Sequence, residues 1–272
     1  MTSADDRLAA LEPPRASLRE KLFSWGLWMA LGLLLAFSFK GAHIGDLYLL
    51  GQKWGNTRTY LSDYLRPDFS SLETVRYYIE EMWVTIQVAI WGTVISVLLA
   101  IPFSLLCATN IAPSWISFPV RRLMDLLRSV NELVMGTAFV VAVGLGPLAG
   151  VLALALHNTG VLAKLFSEAV EAVDQAPVEG VRATGSTRLQ EIVWGVIPQV
   201  GPLWTSFALY RFESSARSAT VLGLIGAGGI GQVLFDNMNS FNYARVSAIS
   251  IVIVAAVFAI DMTSSAIRRR LV

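Results

Sequence analysis

Between residues 82 and 107 the chain reads MWVTIQVAIWGTVISVLLAIPFSLLC, 26 consecutive positions without a charge. A hydrocarbon core of about 30 Å takes roughly 20 helical residues to cross, so this run reads as a membrane span. Residues 22 to 39, LFSWGLWMALGLLLAFSF, form a second uncharged run of the same kind. The composition agrees: 15% of the residues are charged and 54% hydrophobic, where soluble domains carry about 25% charged residues.

Further runs follow along the chain. Residues 133 to 163 are uncharged but broken at Gly144, Gly146 and Pro147, too long for one helix and interrupted where a turn belongs. They read as a helical hairpin whose first arm starts near residue 126 and whose second runs from about 148 to 168. Residues 192 to 210 give a fifth span, and 246 to 260, extended toward Ile267, give the last. Residues 218 to 235 are also uncharged, and parity decides against counting them. With six spans both termini share one face with Arg121, Arg122, Arg128, Lys164, Arg182 and Arg188, which gathers 13 of the 21 Lys and Arg there. The positive-inside rule makes that face cytoplasmic.

The resulting expectation is a cytoplasmic segment 1–21, a first helix 22–39, an extracytoplasmic segment 40–81, a five-helix core 82–267 and a cytoplasmic tail 268–272. Trp54, Tyr60 and Tyr64 suit an interfacial helix within 40–81. The first apolar run follows 21 polar residues, unlike a short basic leader, and is expected to be retained. A net charge of +1 and the lack of a basic run interleaved with aromatics give no support for nucleic-acid binding. One cysteine, Cys107, closes no intrachain disulfide and offers no cysteine-based metal site. No cofactor is expected.

The segment 168–191 on the cytoplasmic side carries local helix chemistry. Pro177 suits a first helical turn, where its missing N–H costs nothing, and places Glu179 in that turn, toward the positive end of the helix dipole. Gly185 is positioned as a left-handed stop. Thr187 and Gln190 have capping-box spacing and would start the next helix directly.

Glu179, Gly185 and Pro198 stand at intervals of six and thirteen, which resembles the Glu-Ala-Ala, Gly and Pro signature of permease subunits of bacterial ATP-binding cassette importers. Gly180 and Val181 replace the paired alanines, and Gly195 stands where Ile or a similar residue is usual. The stretches RRLMDLLRSVNEL, VAVGLGPLAGVLALALHNTGVLAKLFSEAVEAVD, VRATGSTRLQEIVWGVIPQV and LYRFESSARSATVLGLIGAGGIG together resemble the permeases of phosphonate importers, a branch that includes phosphate and phosphite systems. In that branch a proline is common where Asn131 stands, so the resemblance implies a weaker kink here.

The resemblance implies an all-α polytopic membrane protein of six transmembrane helices with a type I ABC importer (MetI-like) permease core. It assigns Glu179, Gly180, Val181, Arg182, Gly185 and Pro198 to coupling with an ATPase. The implied partners are two ATP-binding cassette ATPase subunits, a second permease that is identical or a close paralogue, an extracytoplasmic substrate-binding protein, and membrane lipid. None of the four lysines follows a glycine, so the chain lacks a P-loop. It is expected to be a non-catalytic subunit whose partner hydrolyses ATP.

Arg211, Glu213 and Arg217 fall at the end of the fifth span, and charges at such depth are costly unless paired or facing a cavity. Glu213 and Arg217 have the spacing of a structural i, i+4 pair; the same three residues also leave one net positive charge near the outer mouth, which suits a small anion. His157 and Asn158 are weaker pathway candidates, since buried polar groups in membrane helices more often bond neighbouring helices. Gly226, Gly228 and Gly231, with Gly229 between the last two, match the Gly-x-Gly-x-x-Gly of dinucleotide-binding loops. That fingerprint needs a preceding strand and an acidic residue about 20 positions onward, and the position 20 past Gly231 is Ile251. The glycines are read instead as a gate or helix break beside protein or a cavity. The competing readings are a methionine or quaternary-amine importer, a membrane oxidoreductase, and a passive channel; the coupling segment argues against the last.

Overall fold

A computed structural model describes residues 18–42 and 44–271. The chain divides into two units, residues 1–61 and 62–272.

In the first unit, helix α1, Leu18–Gly41, opens on Arg19, Glu20 and Lys21 and is apolar from Leu22 to Phe39, where its side chains are exposed. A single 3-10 turn, Ile44–Leu47, leads to the short helix α2, Tyr48–Gln52. Helix α3, Trp54–Tyr64, ends just past the boundary between the units and presents Trp54 and Tyr60 on its surface.

The second unit is a bundle. Helix α4, Leu72–Cys107, begins well before the uncharged run at residue 82, and its polar first turns carry an Arg76–Glu80 ion pair of 2.8 Å at i, i+4 spacing. Helices α5, Ser114–Ser129, and α6, Glu132–Val143, meet at 87°. The first arm of the hairpin is therefore α6 alone, and the bend at Asn131 is sharp where a weaker kink was expected. Its cause is a cap: Asn131 Oδ1 accepts the Leu133 N–H at 2.8 Å, which starts a new helix without proline.

Helix α7, Pro147–Glu171, follows a turn with positive φ at Gly144 and Gly146 and packs along α4. Helix α8, Gln175–Ala183, is short; α9, Arg188–Gly223, is long and includes a π-helical turn at Glu191–Val196. Helix α10, Ile230–Asn239, and α11, Tyr243–Leu271, complete the chain. Five of these helices across the chain are long and apolar enough to cross a membrane, and six if the bent α5–α6 pair counts as one span.

Three apolar clusters hold the bundle. One stacks Phe166 on Trp204 with ring centroids 4.8 Å apart, the indole N–H reaching the Phe166 carbonyl at 3.3 Å. The second joins α4, α7 and α9 through Val88, Leu154 and Leu222. The third packs Tyr78 and Met82 against Ile230 and Ile249. Fully buried alanines at 89, 153 and 163 let the helices approach closely.

Candidate coupling helix and polar pathway

Helix α8 is capped by Asp174, whose Oδ1 accepts the Ala176 N–H at 3.0 Å. Pro177 is the third helical residue, within the first turn as expected, but because the cap lies upstream Glu179 falls in the second turn, not the first. Pro177 is still tolerated, since the first four N–H groups of a helix have no internal partner. Gly185 adopts φ +81° and its N–H closes on the Arg182 carbonyl at 3.0 Å, the left-handed stop. Gln190 Oε1 accepts the Thr187 N–H at 2.8 Å and starts α9.

Three contacts fix α8 to the start of α9. Val178 is buried against Gly195, where an added Cβ would lie 3.1 Å from the Val178 Cα. Arg182 forms two parallel bonds to Glu191, at 3.0 and 2.9 Å. Gln199 exchanges two hydrogen bonds with the backbone of Asp174, at 3.1 and 3.2 Å. Glu179, Gly180 and Arg182 remain exposed and Val181 is half-buried, so the outward face of α8 is free. Pro198 is exposed and lacks an N–H, and just before it the helix takes a wider turn in which the Ile197 N–H reaches the Ile192 carbonyl. Sequence reasoning missed Glu191 and Gln199, because neither belongs to a spacing motif.

The charged trio does not lie at the end of a span. Helix α9 continues through all three residues to Gly223, and Arg211 is twelve residues short of that end, about 18 Å at 1.5 Å per residue. Hydropathy stops a span at its first charge, but paired charges let a helix continue. Buried Glu213 bonds Arg217 at 2.9 Å and Arg268 of α11 at 3.4 Å. Arg211 donates from Nε to Asn158 Oδ1 at 2.8 Å, and Asn158 in turn donates to Ser215 at 2.8 Å. Among the described residues the Arg211 guanidinium has no other hydrogen bond, leaving its two terminal NH2 groups uncommitted. His157 faces Glu132 at 3.2 Å and the Val130 carbonyl at 2.9 Å, and Ser218 donates to the other oxygen of Glu132. His157 and Asn158 thus bond neighbouring helices.

The glycine-rich stretch is a turn between α9 and α10. Gly226, Gly228 and Gly229 have φ of +96°, +74° and +73°, and the Gly226 carbonyl accepts the Gly146 N–H at 2.9 Å, tying the two glycine turns together. Gly231 lies inside α10, directly against the α9 backbone at Thr220 and Gly223. The first N–H of α10 is taken by Thr85 Oγ1 at 2.9 Å. Beside it a cavity of about 430 Å³ is lined by the carboxylates Glu81 and Asp236, a poor surroundings for a pyrophosphate. No strand occurs among the described residues, so the dinucleotide reading fails on both counts.

A helical bundle with broken spans and a short capped helix clamped to the foot of a long one is the architecture of a type I importer permease. The chain belongs to the binding-protein-dependent transport system inner membrane components, whose family model matches residues 100–272. It is 40% identical over 91% of both chains to the phosphite transport system permease protein PtxC of Stutzerimonas stutzeri. It is 50% identical to the putative cryptic phosphonate transport system permease protein PhnE2 of Escherichia coli, over 44% of this chain and 99% of that one. The fold is similar to that of a chain in the inward-facing MetNI methionine ABC transporter, with a TM-score of 0.66 at 19% identity over 74% of this chain and 99% of that chain. The protein is a multi-pass inner membrane permease subunit.

Proposed function

We propose that the chain forms the translocation pathway of an importer for phosphite, phosphonate or phosphate. The observation that carries this reading is the relation to PtxC along nearly the whole of both chains. Arg211 supports it: a guanidinium in mid-helix with two NH2 groups free suits a passing oxyanion. Asn158 already holds one edge of that fork, which favours a contact weak enough for release.

The exposed face of α8, with Glu179, Gly180 and Arg182, is the docking surface for one ATP-binding cassette ATPase; Gly185 stops that helix, and Pro198 stands in α9 next to Gln199, which holds the other end. Two ATPases, a second permease and an extracytoplasmic binding protein complete the complex, with both termini cytoplasmic. Gly226, Gly228, Gly229 and Gly231 form part of the gate. Uptake of labelled phosphite, methylphosphonate, phosphate and methionine by cells with and without this chain tests the reading. Chain-dependent uptake of a phosphorus oxyanion is expected; chain-dependent uptake of methionine alone would overturn it.

A further inference from the structure

A polar cavity of about 190 Å³ lies among α4, α5 and α7, and no residue of the proposed pathway or docking face lines it. Its walls are Arg121, Arg122 and Asp125 of α5 and Lys164, Glu168 and Glu171 of α7, three cations and three carboxylates. Its level in the membrane follows from the sequence. Cys107, which also lines it, ends the uncharged run of α4, and Lys164 is the first charge after the uncharged run 133–163. The cavity therefore stands where the hydrocarbon ends and lipid headgroups begin.

These charges are not equally committed. Arg121 donates from Nε to the Cys107 carbonyl at 2.7 Å and pairs with Glu171, which also accepts the Thr109 N–H at 2.7 Å. Asp125 accepts from Arg128 at 2.8 Å. Arg122 and Lys164 each have one longer contact with an acid, 3.3 Å to Asp125 and 3.4 Å to Glu168. The side chains of Arg122, Lys164 and Glu168 are 68%, 39% and 55% exposed. Two loosely held cations and one loosely held carboxylate thus line the same cavity.

An apolar surface adjoins them. Phe118 lines the cavity, with the Arg122 guanidinium 5.2 Å from its ring centre, and is exposed. Trp115, Leu123 and Leu126 of the same helix are exposed as well, and they fall within about 80° of arc at ~100° per residue. A soluble ligand would fill the cavity and leave this surface bare, whereas a phospholipid uses both. We propose that the cavity holds the headgroup of an ethanolamine phospholipid, with its phosphate between Arg122 and Lys164, its ammonium against Glu168 and its acyl chains along Trp115, Leu123 and Leu126. A headgroup bearing both charges matches this mixed set. A purely anionic one leaves Glu168 facing negative charge, and a choline has no N–H to donate to it. The bound lipid braces α5 against α7, the helix that leads into α8.

Native mass spectrometry of the full-length chain tests this, after purification in detergent and exposure to equal amounts of dioleoyl phosphatidylethanolamine, phosphatidylglycerol and phosphatidylcholine. Phosphatidylethanolamine is expected to be retained in preference to both others. Arg122→Gln and Lys164→Gln should each lower its retention about fivefold. Glu168→Gln should remove its advantage over phosphatidylcholine without lowering retention of phosphatidylglycerol. Preferred retention of phosphatidylglycerol, or a pattern that none of the three substitutions alters, overturns the proposal. Displacement of the lipid by free phosphoethanolamine at equal concentration would also overturn it, since the site would then take a soluble zwitterion. As a second measure, phosphatidylethanolamine should raise the melting temperature of the wild type more than that of the folded Arg122→Gln and Lys164→Gln proteins; equal shifts would refute the headgroup contacts. Neither readout depends on which anion is carried.

Discussion

The contact between α9 and α10 makes a quantitative prediction for Gly231→Ala. A Cβ at residue 231 would lie 1.9 Å from the Thr220 carbonyl oxygen and 2.9 Å from the Gly223 Cα, where ordinary contacts begin at 3.4 Å. The helices would have to part by about 1.5 Å. Both obstacles are backbone, so no side-chain rotation relieves them, and the cost belongs at the upper end of overpacking, about 3 kcal/mol. For a unit of this size that corresponds to a melting temperature lower by on the order of 6–12 °C. Tryptophan fluorescence during heating of the detergent-solubilised chain measures it. Gly180→Ala is the control: this helical glycine has nothing within 4 Å of an added Cβ, and alanine there should stabilise by roughly 0.5–1 kcal/mol. A Gly231→Ala protein that melts with the wild type would refute the close packing of these two helices.

Glu179→Lys should abolish co-purification with the ATPase or uncouple its hydrolysis from uptake, while melting stays within about 2 °C because Glu179 is exposed and outside the bonds that fix α8; wild-type uptake would sink the docking model. Replacing Arg211 and Arg217 together with Gln should reduce anion uptake at least about tenfold without loss of assembly, and unchanged uptake would remove both from the pathway. In the extramembrane turn before α4, bonds from Ser70 at 2.6 and 3.2 Å and the Arg245 partner hold the Asp68 carboxyl below its ordinary range. A depressed carboxyl contributes stability above the unfolded pKa and loses it as pH falls through the folded one. Asp68→Asn should therefore melt lower than wild type at neutral pH, and the gap should close on acidification; a gap that persists in acid would show that the ionised form is not what matters.

The features legible in the sequence were those encoded within a few neighbouring residues. The turn at Gly144 to Pro147, the stop at Gly185 and the Thr187–Gln190 cap follow from backbone preferences that glycine, proline and hydroxyl side chains carry wherever they stand. What escaped depended on partners distant in sequence. Helix α9 runs on past Arg211 because Asn158, 53 positions away, accepts from it, and past Glu213 because Arg268 reaches it from the last helix. Helix α4 begins at Leu72 because its first turns are polar and self-paired, which a search for apolar runs passes over. The bend at Asn131 escaped because asparagine breaks a helix by capping a new one, a role that shows only when its side chain turns back on Leu133.

These long-range bonds also bear on how motion would travel under the proposed coupling. Helix α8 is held to α9 near both of its ends, by Asp174 on Gln199 and by Arg182 on Glu191, with Val178 seated between them. A push on α8 is therefore delivered to α9 instead of being absorbed in the loop at residues 184–187. From Arg188 to Gly223 the helix is about 54 Å long, and it carries Arg211 about 18 Å short of its far end, where the glycine turn follows. That turn has three glycines at positive φ and one bond to the Gly144–Gly146 turn, so a shift of α9 bears directly on the contact between the two glycine turns. Glu191→Gln separates the two halves of this argument. It weakens the clamp while leaving Glu179 and Gly180 of the docking face untouched, so ATPase docking should persist as uptake per ATP hydrolysed declines. Equal loss of both would mean that α8 and α9 do not move as one body.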